Sequence, residues 1–366
     1  MDTRTTININ PLTFPIMMYE EIIANINTVT EYKEGDMLSP LNNSYFSKPI
    51  IKDNFHNINS INTNSKLCFI DGGSSELLKA PNFSLFFIRI YANITENNKT
   101  VTDKRIEFYC LAKTKVKDDE LFYEVDLFGD VIIDKQDLEL FSFDKTIVTG
   151  ENRAEISKLG DIARRFAELK LATKMISELK QDDIIILDGN LRSTYTNEDH
   201  YLDELYKLAM DKNIIISGLC KTSNLLTEKG NNIINVLNYL AEKNNIKNNW
   251  YYHPIMEINE PKHKAEMMFV KLNTSSEYIF RFEIYNQQFD KNKINNVLDL
   301  LVKNSNDYSF PGYPYGLIKV DQLARISNQE NHYLKSKILF NLKHKGQKNI
   351  NSCLKALDAH DILDSK

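Results

Sequence analysis

Two aspartates, Asp71 and Asp188, stand at the ends of short apolar runs, and each is followed by glycine, in KLCFIDGGS (66–74) and DIIILDGNL (183–191). Runs this short and this rich in Ile, Leu and Phe read as buried strands, and Asp-Gly ends each in a turn. One such aspartate is explained by the turn alone, because Asp-Gly is a common turn pair. Two of them at neighbouring strand ends would bring two carboxylates together, and in a partly dry site these repel until a divalent cation neutralises them. The glycines would let a phosphate approach the backbone. The pair therefore outweighs the turn reading. Hard oxygen donors suit magnesium or manganese rather than zinc, and two such ions held about 4 Å apart are an arrangement that hydrolyses phosphodiesters.

Further residues could share that chemistry. Glu168 lies on an expected helix face with Leu171, Ala172 and Met175, at spacings of three, four and seven,. An acid on an apolar face suits a metal ligand, whereas Arg164 and Arg165 one turn earlier suit an ordinary helix ion pair; spacing leaves both open. Lys221 follows another apolar run in GLCKTS and could contact a scissile phosphate, or be a solvated loop lysine. The segment lacks the glycines of a Walker A loop,. Phe310, Tyr313 and Tyr315 crowd with two prolines and two glycines in SFPGYPYGLIKVD (309–321). Exposed, such rings stack on unpaired bases; buried, they stiffen a turn. The seven histidines form no HExxH or HxH pattern, and no GxSxG or Cys–His signature is present, which removes zinc hydrolase and nucleophilic serine or cysteine chemistry.

The elements that must position these residues follow from the apolar pattern. A helix is expected around Met17 to Asn27, then strands at 66–70, 83–92 and 105–112 in an antiparallel meander. Residues 121–149 read as an insertion with short strands. A long helix (153–179), a buried strand (183–187), a helix (199–212) and a second buried strand (213–217) come next. Helix alternating with strand implies right-handed crossovers and parallel pairing. Strands at 267–272 and 278–284 and helices at 294–303 and 329–342 complete the list. Three strands, then helix, strand, helix, strand is the order of an RNase H-like core, an α/β fold with a mixed sheet flanked by helices. A doubly wound sheet would want GxGxxG after its first strand, and none is there.

The whole chain sets the frame. Its 366 residues are 42% hydrophobic and 26% charged, a composition for a packed core and not for disorder. No apolar run reaches eighteen residues, and no basic-then-apolar leader opens it, so the expectation is a cytoplasmic protein with no membrane span. Four scattered cysteines without a CxxC pair read as reduced core residues,. A net charge of −5 excludes a generally basic, DNA-coating surface but not a local basic groove,.

Taken in order, FIDGGSSEL (69–77), RRFAEL (164–169), ILDGNL (186–191), GLCKTS (218–223) and GYPYGLIKVD (312–321) resemble the motifs of the NurA nucleases, partners of the HerA hexameric DNA translocase. The resemblance covers roughly residues 64–330. It sets these apart as the nuclease domain, between an N-terminal extension with helix (1–63) and a C-terminal helical tail (331–366). It implies an RNase H-like fold and a homodimer. It also implies a manganese-dependent nuclease, with magnesium as the alternative ion, that cuts single-stranded DNA 5′ to 3′ and internally in end resection and double-strand break repair. By the motif match Asp71, Glu168 and Asp188 would be metal ligands, Lys221 the active-site lysine and Tyr313 the tyrosine of the last motif. Asp321 stands where family members commonly carry histidine and would be a further ligand. Two other readings compete: an actin-like ATPase or kinase, which would need a duplicated core, and a non-catalytic translocase subunit, for which these carboxylates would be superfluous.

Overall fold

The computed structural model describes residues 19–25, 35–61 and 63–344. The expected N-terminal helix is present over 19–25, and its ends lie outside the described residues, as do residues 345–366 and Cys353 among them. Two short strands, β1 (Tyr45–Ser47) and β2 (Phe55–Asn57), precede four long ones: β3 (Leu67–Ala80), β4 (Phe83–Glu96), β5 (Lys99–Lys117) and β6 (Glu120–Gly129). These four form an antiparallel meander. Its tight turns use Asn97 and Asn98, then Asp118 and Asp119, all with φ between 50° and 62°. Two-residue hairpins of this hand require positive φ, which Asn and Asp tolerate well.

β6 corrects the expected insertion of short strands: it is ten residues long and continues the meander. Only its Tyr123 and Val125 are buried, so its sequence mixes polar with apolar residues. A two-residue strand, β7 (Leu140–Phe141), pairs with β6 at that edge.

The parallel half follows as expected. Helix α1 (Lys158–Met175) leads to β8 (Ile184–Asp188), and α2 (Glu198–Lys212) to β9 (Ile215–Cys220). β8 runs parallel to β3, and β9 parallel to β8. Both strands are covered on both faces, which is why they read as unbroken apolar runs. The order β9-β8-β3-β4-β5 within an eleven-stranded sheet is the RNase H-like core.

Beyond β9 the chain adds α3 (Ile233–Lys243), β10 (Trp250–Tyr252), β11 (Met256–Ile258), β12 (Ala265–Lys271) and β13 (Phe280–Tyr285). Helices α4 (Lys291–Asn304), α5 (Tyr315–Ala324) and α6 (Asn328–His344) close the described chain. β13 pairs antiparallel with β9, and β12, β10 and β2 extend the sheet past it, while β1 pairs with β11 apart from it. Residues 35–61 are thus tied to the last third of the chain. The sequence did not reveal α3 or the three-residue strands, which are too short to display alternation.

Side chains alternate across the sheet. Cys68 and Ile70 join a core with α1 and α2, whereas Leu67 and Phe69 join one with α4 and α5. Cys68, Cys110 and Cys220 are buried and, among the described residues, unpaired. Among the described residues no helix is long and apolar enough to cross a membrane.

Candidate active site

The alternation that places Phe69 on the α5 side puts Asp71, two residues on, there too. Ile184 and Ile186 share that side, so Asp188 at the end of β8 follows them,. β3 and β8 are parallel neighbours, and their ends bring the two carboxylates together. The third acid comes from α5. Pro314 precedes this helix and cannot continue a helix backwards, so the segment read as a rigid loop turns helical at Tyr315,. That turn carries Asp321 over the strand ends. Carboxylate oxygens of Asp71, Asp188 and Asp321 all lie within 4.8 Å of one another.

Lys221, just past the end of β9, sits among them. Its Nζ is 2.6 Å from Asp188 Oδ2, 2.6 Å from Asp321 Oδ1 and 3.9 Å from Asp71 Oδ2. Burial works to lower the lysine, but the charges and hydrogen bonds of Asp188 and Asp321, with the charge of Asp71, push it above its ordinary range. Asp321 is also held by Arg325 one turn on, at 2.6 Å. Burial would raise its carboxyl, yet Lys221 and Arg325 together hold it below the usual value.

Asp71 shows what the crowding does. Burial first, then the charges of Asp188 and Glu168, lift its carboxyl to about 8 against the pull of Lys221 and the Gly72 N–H. Lys221 offsets only part of what burial and the neighbouring acids do, so the cluster is short of positive charge,. Three hard oxygen donors with that deficit fit a divalent cation such as magnesium or manganese.

Glu168 lies across the sheet from this trio. It is buried, ion-paired with Arg164, and 3.7 Å from Arg165. Its Oε1 presses on Gly72, where an added Cβ would sit 2.6 Å from it, so a larger residue after Asp71 would push Glu168 from its place. Burial raises its carboxyl, the two arginines lower it, and Asp188 adds to the rise. Of the two readings its spacing left open, the ion pair is present, and Glu168 stands outside the group of carboxylates that could share one ion.

The loop after Asp188 is pinned from three sides. Gly189 adopts φ +118°, open to glycine and little else, and its carbonyl passes so close to Gly218 that a Cβ there would collide. Arg165 donates to the Asn190 carbonyl at 3.0 Å and to Glu198 at 2.8 Å. Buried Glu283 accepts the Leu191 N–H at 2.8 Å and contacts His263 at 3.0 Å. Burial opposes its charge, but Arg281 and His263 hold Glu283 down at about 2. Sequence reading missed Glu283; its signal is the pair Arg281 and Glu283, two charges on one face of an otherwise apolar strand.

The aromatic residues divide. Tyr313 is 1% exposed and stacks on Phe310 at 5.2 Å, with Lys221 Nζ 6.0 Å from its ring centre. Burial and the nearby aspartates raise its hydroxyl well above the usual range, and that hydroxyl has no hydrogen-bond partner among the described residues. Tyr313 therefore offers a protonated hydroxyl and no free ring face. Phe310 is half-buried, and Tyr315 is 45% exposed in the first turn of α5.

The family model described as the NurA domain matches residues 65–326. The fold resembles the crystal structure of the NurA nuclease from Sulfolobus solfataricus, with 16% identity, a TM-score of 0.52, and 92% of this chain and 98% of that one covered. The catalytic domain of human Endonuclease V is a much looser likeness, at 8% identity and a TM-score of 0.35 over 90% of this chain and 99% of that one. A search of curated proteins finds no match. The matched region contains the three aspartates, the lysine and the glutamate, and the chain belongs to the NurA nuclease family.

Proposed function

We propose that the chain is a metal-dependent DNA nuclease that hydrolyses phosphodiesters in single-stranded DNA, 5′ to 3′ from an end and also internally. The observation that carries this reading is the meeting of Asp71, Asp188 and Asp321 around Lys221 at the strand ends of a NurA-family fold. A divalent cation bound there, manganese or magnesium, would supply the positive charge that a phosphodiester needs in displacement. Asp71, Asp188 and Asp321 would hold it, and Glu168, beside Gly72, would serve a second ion once released from Arg164. Lys221 presents its ammonium to the phosphate. Tyr313, buried with Lys221 Nζ 6.0 Å from its ring centre, would back that ammonium from within. One RNase H-like sheet without a duplicate among the described residues suits a nuclease better than an actin-like ATPase. Single strands labelled at the 5′ or the 3′ end, incubated with the protein and manganese, test the activity. Short labelled products from the 5′ label, absent in chelator, are expected; an intact strand would refute the reading.

Asp321 in place of the family histidine gives a sharper check. Aspartate stays ionised across the working range and ligates a hard cation, but it cannot shuttle protons near neutral pH as histidine does. Asp321→Ala should raise the manganese concentration for half-maximal cleavage about tenfold, and Asp321→His should restore activity at least partly. Two variants that titrate like the parent would remove Asp321 from the metal site.

The family setting extends the reading to a cytoplasmic homodimer that works with a HerA-type hexameric translocase in DNA end resection and double-strand break repair. The acidic net charge of −5 supports it: a nuclease with little general affinity for DNA gains from a partner that feeds strand into it. Light scattering is expected to give twice the 42.5 kDa of one chain, and the protein is expected to co-purify with such a translocase. A monomer at micromolar concentration would contradict the dimer, and failure to co-purify would contradict the partner.

A further inference from the structure

Four rings run from the carboxylates to the surface. Tyr313 stacks on Phe310 at 5.2 Å, Phe310 meets Tyr278 edge-on at 4.8 Å, and Phe280 lies 5.2 Å from Tyr313 and 6.2 Å from Tyr278. Tyr313 and Phe280 are buried, whereas Tyr278 is 55% exposed. Arg281 pairs with Cys220 across β13 and β9, so the start of β13 lies beside Lys221. The exposed end of the cluster is therefore fixed close to the site.

Tyr278 does little for the core. Half its surface faces solvent, yet its orientation is set by two ring contacts and by the turn just before β13, where the Tyr278 N–H donates to Ser276 Oγ at 3.1 Å. A ring held this firmly and left open is preorganised to receive a flat apolar partner without ordering itself on binding. The partner that a phosphodiester-cleaving site brings to its own rim is an unpaired base. Every base has a π-face, and stacking on aromatic side chains tolerates any sequence. A paired base has both faces covered by its neighbours and offers none.

We propose that Tyr278, backed by Phe310, is a base-stacking subsite for a nucleotide of the single strand next to the scissile phosphate. The proposal rests on the nuclease reading above and adds to it a residue that holds the strand. Anisotropy of a labelled oligothymidylate, titrated with protein in chelator so that nothing is cut, tests it. Tyr278→Ala should weaken binding about tenfold, and Tyr278→Trp should bind within about twofold of the parent. Replacing the stacked nucleotide with an abasic one should abolish the difference between the parent and Tyr278→Ala. Equal affinity of Tyr278→Ala and the parent for the intact strand would overturn the subsite. So would a loss of oligomer in Tyr278→Ala, which would assign the ring to a contact between copies. A parent protein that binds no strand even when calcium, which fills such a site without supporting the cut, replaces the chelator would overturn the nuclease reading itself, and the subsite with it.

Discussion

Asp71→Asn and Asp188→Asn should each reduce DNA cleavage by about a thousandfold or more while leaving the fold intact. Each replaces a charged oxygen donor with a neutral amide of the same shape, and loss of one ligand charge from a three-carboxylate site weakens its hold on a hard cation. The amide still fills the space at the strand end, so circular dichroism and gel filtration should match the parent. Cleavage near the parental rate by either variant would dissociate that residue from the chemistry. Asp71 adds a signature that needs no activity. Folded and free of metal, its carboxyl is lifted from 3.8 to about 8, so the folded state keeps a proton that the unfolded state has lost between those values. Stability then falls as pH rises across that window. Asparagine carries no such proton. In chelator, Asp71→Asn should therefore melt above the parent at pH 8, and the gap should close toward pH 4. A gap that does not change with pH would contradict the lifted carboxyl.

Lys221→Met should lower cleavage about a hundredfold, the scale of losing one preorganised charge at a transition state, without weakening manganese binding. The ammonium is within 2.6 Å of both Asp188 and Asp321, so it competes with a cation for the same carboxylates. Removing it leaves the aspartates free for the ion but takes away a charge that faces the phosphate. Methionine keeps the length of the stem, and the contact with the Tyr313 ring survives as packing. A variant that loses manganese affinity as steeply as activity would recast Lys221 as a residue that merely shapes the site. One that cleaves within a fewfold of the parent would remove it from the reaction.

Asp71, Asp188 and Lys221 were legible in the sequence for one reason. Each sits beside an unbroken apolar run, and strands buried on both faces read as such runs without help from distant contacts. The order of those runs also gave the mixed core, because meander turns and helix crossovers leave local marks. Glu168 was legible as an acid on an apolar face with Arg164 and Arg165 in reach, and it pairs with them, but its distance from the aspartates was not. Whether it meets Arg164 or an aspartate depends on which way it leans across Gly72, a tertiary fact. Asp321 was located by motif alone; the helix that carries it was read as a loop because its prolines and glycines mask the helical part after Pro314. Glu283 was missed because a buried acid in a strand is intelligible only beside His263, Arg281 and the Leu191 N–H it binds. The three-residue strands owe their existence to partners far away in sequence, as β2 does to β10. No local pattern could have announced them.

Electron paramagnetic resonance of free manganese reads the metal site directly. Titrated with the parent protein, the six-line signal of the free ion should fall as the ion is taken up, and it should stay in place when the Asp71→Asn, Asp188→Asn double variant is added at the same concentration. A double variant that removes manganese from solution as well as the parent does would show that these strand-end aspartates are not where the metal binds.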